Sequence, residues 1–273
     1  MTTEASLEGR TVIVTGASSG IGRAIAERLG GAGAHVFLAG RTQQAMDASK
    51  KVIEAAGGRA STVVLDVRDV AEVQGLVDTA MSETGRLDIM VNNAGLSYPA
   101  KITEGEPEQW RDMLETNVLA LLVGCKAAVK AMRDCGAEGH IVNISSIAAQ
   151  RPDSGVYGST KHAVNAISAS LRGELEEDSI RVVNVMPGAI ATNFARNFDP
   201  AFVDGFVKMA GLDVEVKPGE RLPDEVFETL SEKMGQLLGN PGDVANAVLY
   251  AVSQPVNVNI ADIVVRPPKQ ITL

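Results

Sequence analysis

The chain has 273 residues, 45% hydrophobic and 22% charged, a balance that fits a globular protein and excludes collagen-like, coiled-coil and disordered chains. Its formal net charge of −9 provides no overall basic field to hold nucleic acid or an anionic membrane. The longest apolar run, Val118 to Val123, falls far short of the ~20 residues that cross a bilayer, so neither nucleic acid nor a membrane is an expected partner.

From residue 11 onward, short β-branched runs alternate with longer amphipathic stretches. The spacing predicts a strand at Thr11 to Thr15 and a helix at Gly20 to Leu29, then a strand at His35 to Ala39 and a helix at Thr42 to Ala56. A strand at Thr62 to Asp66 precedes a helix at Val70 to Ser82, and a strand at Leu87 to Val91 precedes a helix at Gln109 to Met132. Further on come a strand at His140 to Ile144, a helix at Val156 to Glu176, strands at Ile180 to Val185 and Ile260 to Val265, and a helix near Asp243 to Val252. Strands that are apolar throughout are buried on both faces, and helices between them imply parallel crossovers. The expected fold is therefore α/β: a Rossmann arrangement, doubly wound, with a seven-stranded parallel sheet in the order 3-2-1-4-5-6-7. No repeat or linker divides the chain, so residues 1–273 are expected to form a single domain. Between Gly188 and Pro241 no strand is predicted, and this excursion, about residues 189–240, hangs off the strand ends where ligands bind. It reads as a substrate lid.

Thr15-Gly16-Ala17-Ser18-Ser19-Gly20-Ile21-Gly22 lies between the first strand and the first helix. Gly16 can make the tight turn, Gly20 lets backbone approach a pyrophosphate, and Gly22 lets helix and strand pack closely. At the end of the second strand, where an acid would hold the ribose 2′-hydroxyl of NAD, the sequence has Gly40-Arg41-Thr42. A guanidinium there can pair a 2′-phosphate, which favours NADP(H) and leaves NAD(H) possible; Arg41 stacking on adenine, or serving only a solvated loop, is the alternative.

Tyr157 and Lys161 stand four apart on the long helix after the fifth strand, hence on one helical face. A phenol titrates near pH 10, so acid–base work at neutral pH needs its pKa lowered by ~3 units, and a neighbouring ammonium and a positively polarised cofactor ring supply that sign of field. Ser145 and Ser146 end the strand just before, where a hydroxyl can hydrogen-bond a reacting carbonyl oxygen.

Taken in order, Thr15-Gly-Ala-Ser-Ser-Gly-Ile-Gly22, Asn92-Asn-Ala-Gly95, Asn117, Ser146, Tyr157-x-x-x-Lys161 and Pro187-Gly188 resemble the motifs of the short-chain dehydrogenase/reductase family, in its branch of about 250 residues. The resemblance covers roughly residues 9–265. It implies Tyr157 as general acid/base, Lys161 as the group that lowers its pKa and binds the nicotinamide ribose, Ser146 as the substrate-orienting hydroxyl, and Asn117 as holder of a relay water. It also implies Gly16, Ser18, Ser19, Gly20, Ile21, Gly22, Asp66, Val67, Asn93, Ala94, Gly95, Pro187, Gly188, Ile190 and Thr192 along the cofactor. The family's serine stands about 13 residues before its tyrosine; here Ser146 precedes it by 11 and Ser145 by 12, so the register of the two serines is open and the loop between looks short.

The other titratable residues point elsewhere. His35 and His140 open strands and His162 is turned off the catalytic face, which favours structural or solvated roles; no metal site is expected. Cys125 and Cys135 lack disulfide-framework or zinc spacing and read as reduced thiols. The amino-terminal stretch carries acids where a secretory leader needs basic and then apolar residues, which points to a cytoplasmic location.

Only ten aromatic side chains occur, and four of the six phenylalanines, Phe194, Phe198, Phe202 and Phe206, recur every fourth residue in the lid, followed by Met209 and Leu212. On short helices broken near Pro200 they form a stripe that either packs the lid or lines a substrate pocket. Asp213 to Glu232 carries seven acids and two bases. If that face rims the pocket it repels anionic thioesters, which favours a small hydrophobic or aromatic alcohol and its carbonyl. The leading expectation is an NADP(H)-dependent oxidoreductase. Alternatives are an NADP-dependent 3-hydroxy acid dehydrogenase, an NAD-dependent alcohol dehydrogenase of the same family, and a non-enzymatic nucleotide-binding sensor. The resemblance also implies a homo-oligomer, tetramer or dimer, joined through the helices beginning near Gln109 and Val156 and the last strand.

Overall fold

The computed structural model describes residues 6–269; residues 1–5 of the acidic amino-terminal stretch and residues 270–273 lie outside them. Seven strands, β1 (Thr11–Thr15), β2 (His35–Gly40), β3 (Arg59–Val64), β4 (Ile89–Asn92), β5 (Gly139–Ile144), β6 (Ile180–Pro187) and β7 (Asp262–Val265), form one sheet. Every pair is parallel and the order is β3-β2-β1-β4-β5-β6-β7, as expected. Helices α1 (Gly20–Gly31) and α2 (Gln43–Ala55) connect the first strands, and α3 (Val70–Thr84) leads into β4. Helices α4 (Pro107–Leu114) and α5 (Ala120–Cys135) separate β4 from β5, α6 (Gly155–Glu174) follows β5, and α7 (Pro200–Met209), α8 (Asp224–Met234) and α9 (Pro241–Val252) lie between β6 and β7.

The apolar strands bury both faces. One core joins Val12, Val14 and Val36 to Ile25 and Leu29 of α1 and Val244 and Val248 of α9. The other joins Ile13, Phe37 and Met90 to Leu76 of α3, Ala128 and Met132 of α5 and Val164 of α6.

Beyond shifts of about two residues at some strand ends, two elements differ from expectation. The third strand begins at Arg59 instead of Thr62, because pairing of His35 with Arg59 and of Gly40 with Val64 sets its register. As the edge strand it is partly exposed, so Arg59-Ala-Ser can join it without being apolar. The stretch expected as one helix from Gln109 is interrupted by a π turn at Glu115–Leu119, which turns Thr116 and Asn117 inward. A π turn admits an extra residue into the helix, and apolar periodicity carries no trace of it.

The excursion after β6 holds a 3-10 turn (Asn193–Asn197), α7 and α8. Its ends meet: Ala191 N–H donates to Gly239 O at 3.0 Å and Gly239 N–H to Ala189 O at 2.8 Å. Inside, Val207, Ala210, Val226 and Leu230 form a small core with Ala191, against which Phe206, Leu212 and Phe227 pack. Met209 is not part of the stripe; it is 65% exposed. Because this core is separate from the sheet's two, Val207→Ala should loosen the excursion alone. The expected local loss is about 2 kcal/mol, seen as faster proteolysis within residues 189–240 with the main thermal transition moved by no more than a few degrees.

Candidate active site

The strand ends open onto a cleft of about 1060 Å³. At one end, Gly16 (φ +67°) and Gly20 (φ +55°) carry the chain from β1 into α1 in a conformation that side chains disfavour. A Cβ on Gly16 would stand 2.9 Å from Ala94 Cα, and one on Gly22 would run into Gly16 O and the Asn93 amide. Ser19 caps α1 without a side-chain hydrogen bond and the first turn holds no acid, so the helix presents open N–H groups and an uncompensated positive end. This bare, positively polarised cradle fits a dinucleotide pyrophosphate. Asn93 ties it to β4: its amide nitrogen donates to Thr15 O at 2.9 Å and Gly16 O at 3.3 Å.

The two serines part company. Ser145 is buried, donating toward Asn165 Oδ1 at 2.7 Å and Lys161 O at 3.2 Å, both of α6. Ser146 is the more exposed of the two on the cleft wall; its hydroxyl accepts from Ala148 N–H at 3.1 Å and pulls the Tyr157 phenol downward. With Ser145 Oγ engaged by α6, Ser146 is the serine left facing the cleft; the short loop that follows it winds into a 3-10 turn at Ile147–Gln150.

Lys161 Nζ donates to Ile144 O at 2.9 Å and lies 5.8 Å from the centre of the Tyr157 ring. Burial pushes the Tyr157 phenol up to about 12, against the pull of Ser146, and pushes Lys161 down to about 8. Removing each group from bulk solvent disfavours its charged form. At neutral pH the phenol holds its proton and the amine is largely protonated.

Gly16, Ser18, Ser19, Gly20, Ile21, Gly22, Arg41, Asp66, Val67, Asn93, Ala94, Gly95, Pro187, Gly188, Ile190 and Thr192 all line the cleft with Ser146, Tyr157 and Lys161. Asn117 stands behind the wall: it donates to Leu96 O (2.9 Å) and Thr160 Oγ1 (3.0 Å) and accepts from Leu96 N–H (2.9 Å). A Cβ on Gly95 would lie 3.3 Å from Asn117 Oδ1 and 3.6 Å from Lys161 Nζ, so Asn117 fixes the segment that faces the lysine. Asp66 is clasped by the Arg68 guanidinium (2.7 Å), which holds its carboxyl below the usual range.

Sequence reasoning missed Arg68, Tyr98, Arg196, Arg221, Phe227 and Arg266, all on the cleft wall. Arg196 was legible in principle, one helical turn beyond Thr192; Arg221 sits in an acidic stretch whose net charge hid it. The rings of Phe194, Phe198, Phe202 and Phe206 all reach the cleft, and Phe194 lies 5.5 Å from the Tyr157 ring. None of the seven acids between Asp213 and Glu232 does, which removes the premise that they would repel an anionic substrate.

Of the residues set aside, His35 bonds Ser61 at 3.0 Å and stacks on Phe37, and His162 is exposed. His140 is buried and pushed down to about 4, hence neutral. The cysteines are free thiols, and burial pushes Cys125 up to about 12, which leaves it unreactive. No helix among the described residues is long and apolar enough to cross a membrane.

Residues 10–201 match the short chain dehydrogenase family. An uncharacterized oxidoreductase of Methylorubrum extorquens is 38% identical over 250 residues, 90% of this chain and 92% of that protein. The glycine betaine reductase of Emericella nidulans is 33% identical over 263 residues; the match takes in 96% of this chain but only 19% of that much longer protein. Among solved structures, a metagenomic short-chain oxidoreductase in complex with NADP superposes with a TM-score of 0.74 at 28% identity, over 96% of this chain and 98% of that one.

Burial of Lys161 carries a stability consequence with a definite sign. Its pKa falls from an ordinary 10.5 to about 8. Between those values the unfolded chain binds more protons, so stability from this group rises with pH, and below pH 8 the folded chain bears the full cost, about 3 kcal/mol at most. Lys161→Met is expected to raise Tm at pH 7 by about 3 °C or more, with the gap closing toward pH 10; calorimetry across that range checks it.

Proposed function

Because this chain belongs to the short-chain dehydrogenase family of NAD(P)-dependent oxidoreductases, we propose that it interconverts a small, hydrophobic or aromatic secondary alcohol and its carbonyl compound, with NADP(H) preferred over NAD(H). The observation that carries this reading is the placement of Tyr157, Ser146 and Lys161 on one wall of a cleft whose far end is the bare glycine cradle. A bound nicotinamide dinucleotide supplies or accepts the hydride at its ring C4.

The protein's own part is the proton and the geometry. In the reducing direction Tyr157 Oη donates its proton to the carbonyl oxygen as that oxygen gains charge, and the Ser146 hydroxyl holds the same oxygen by a hydrogen bond. Lys161 stabilises the phenolate left behind. Its bond to Ile144 O keeps the ammonium beside the ring. Asn117 acts at one remove by holding the Gly95–Leu96 segment against Lys161, the wall on which a relay water would sit.

The aromatic wall supports the choice of substrate. Phe194 beside Tyr157, and the edge-packed pair Phe202 and Phe206 at 5.1 Å, give an apolar surface next to the reacting position. The excursion that bears them serves as a lid on the domain. Arg41, which lines the cleft at the end of β2, supports the preference for NADP(H). Exposed Leu114, Leu119 and Leu122 along the α4–α5 helix, with Tyr250 on α9 and Val264 on β7, support assembly as a homotetramer or dimer.

Tyr157→Phe is expected to lower kcat for carbonyl reduction by about a thousandfold while nucleotide affinity stays within a few-fold; absorbance at 340 nm and nucleotide titration check both. Near wild-type turnover would remove Tyr157 from the proton step. Arg41→Asp is expected to shift the ratio of kcat/KM for NADPH and NADH toward NADH, and an unchanged ratio would count against a 2′-phosphate contact at Arg41.

A further inference from the structure

The cleft of this acidic protein is basic: nine lysines and arginines line it against three aspartates. Those aspartates are already engaged, Asp66 and Asp112 by Arg68 and Asp153 by Arg151. Among the described residues no carboxylate pairs with Arg196 or Arg221 on the excursion, or with Arg41 across from them; Arg196 has only a bond of 3.1 Å to Asn193 O.

The arginines are brought together by the fold of the excursion. Buried Asn193 clips Leu222 on both sides, donating to its carbonyl at 3.0 Å and accepting from its N–H at 2.9 Å. Gly219, at φ +74°, donates to Arg196 O at 2.9 Å. These bonds stitch the loop before α8 to the 3-10 turn and set Arg221 beside Arg196. The whole unit is seated on the phosphate end of the cleft: Thr192 packs so closely on Gly20 that a Cβ there would lie 3.1 Å from Thr192 Cβ. Asp224 pairs with Arg23 of α1 at 2.6 Å. Arg41, Arg196 and Arg221 line the same cleft, and burial followed by the charges of Arg221 and Arg41 holds the Arg196 guanidinium below its usual range. Like charges so placed repel unless an anion sits among them.

We propose that Arg196 and Arg221 join Arg41 in one anion site at the adenosine end of the cleft, and that this site takes the cofactor's 2′-phosphate. The excursion then reads the nucleotide as well as the substrate. A phosphate offers three oxygens, which suits several guanidinium forks converging from two sides. The site rests on the NADP(H) reading above and extends it to residues on the excursion. A carboxylate on the substrate is the other source of a matching anion.

Binding of NADPH, NADH and 2′,5′-ADP to the full chain separates these possibilities. Arg196→Gln and Arg221→Gln are each expected to raise the Kd of NADPH and of 2′,5′-ADP by about tenfold or more and to leave that of NADH within twofold. Arg221 is exposed, so its variant tests the site even if Arg196→Gln fails to fold, and Arg196→Lys should recover part of the affinity. Equal weakening of NADPH and NADH would assign the arginines to the pyrophosphate and overturn the proposal. Unchanged dinucleotide affinity, with a raised KM for carboxylate-bearing carbonyls, would assign them to substrate and overturn it as well. A wild-type chain that binds NADPH and NADH alike overturns the cofactor reading together with the site; a preference undiminished by both substitutions overturns the site alone.

Discussion

The geometry of the cleft depends on how α6 is bonded to the sheet. Hydrophobic packing alone would leave that helix free to slide or rotate, since apolar contacts have little directional preference. Instead, buried hydrogen bonds fix it: Ser145 Oγ to Asn165 and to Lys161 O, Asn143 Nδ2 to Ser168 Oγ at 2.9 Å, and Asn184 Nδ2 to Asn165 Oδ1 at 3.0 Å. The strand partners are in register, with Asn92 opposite Asn143 and Asn143 opposite Asn184, so one polar row crosses the centre of an apolar sheet. Each of these groups would be costly if left unpaired, which makes the arrangement nearly all-or-none. Lys161 and Tyr157, about one and two turns nearer the helix start than Asn165, take their positions from that row.

Charge is arranged on the same principle of local exception. A protein of net charge −9 nonetheless lines its cleft with an excess of cations, among them the guanidinium groups of Arg41, Arg196 and Arg221. The acids of the excursion face away from the cleft and one of them, Asp224, serves to hold the excursion down through Arg23. Net charge over a segment is a poor guide to the face that a ligand meets. What counts is which side chains the backbone turns inward, and in the excursion that is settled by Asn193 and Gly219, whose roles are conformational.

Much of the fold was legible in the sequence because the sheet is made of runs such as Thr11-Val-Ile-Val-Thr15 that leave no alternative to burial on both faces. The glycine turn and the Tyr157/Lys161 pair were legible for a similar reason: each needs its residue types at a fixed spacing within one element. What escaped is set by pairing between distant segments. The start of β3 at Arg59 follows from its register with His35, and the π turn that buries Asn117 answers to Leu96 and Thr160, far off in the chain. Arg221 is the clearest case. Its neighbours in sequence are acidic, and only the clip between Asn193 and Leu222 delivers it to the cleft.

The ten aromatic residues acquire a meaning through this division of labour. The sheet buries Phe37 and otherwise relies on aliphatic side chains, which pack between closely spaced strands and helices without needing a polar edge satisfied. The excursion, pinned at its ends by Ala189, Ala191 and Gly239 and filled by its own small core, carries the other five phenylalanines to the cleft. Because its core is separate from those of the sheet, its apolar wall can be altered without disturbing the polar row that holds α6. On the proposed function, selection among substrates and the chemistry performed on them would fall in parts of the molecule whose cores are separate. Where the two parts touch, at Thr192 on Gly20 and at Asp224 on Arg23, the contact lies on the phosphate-binding turn, so the seating of the excursion is tied to the nucleotide end of the cleft.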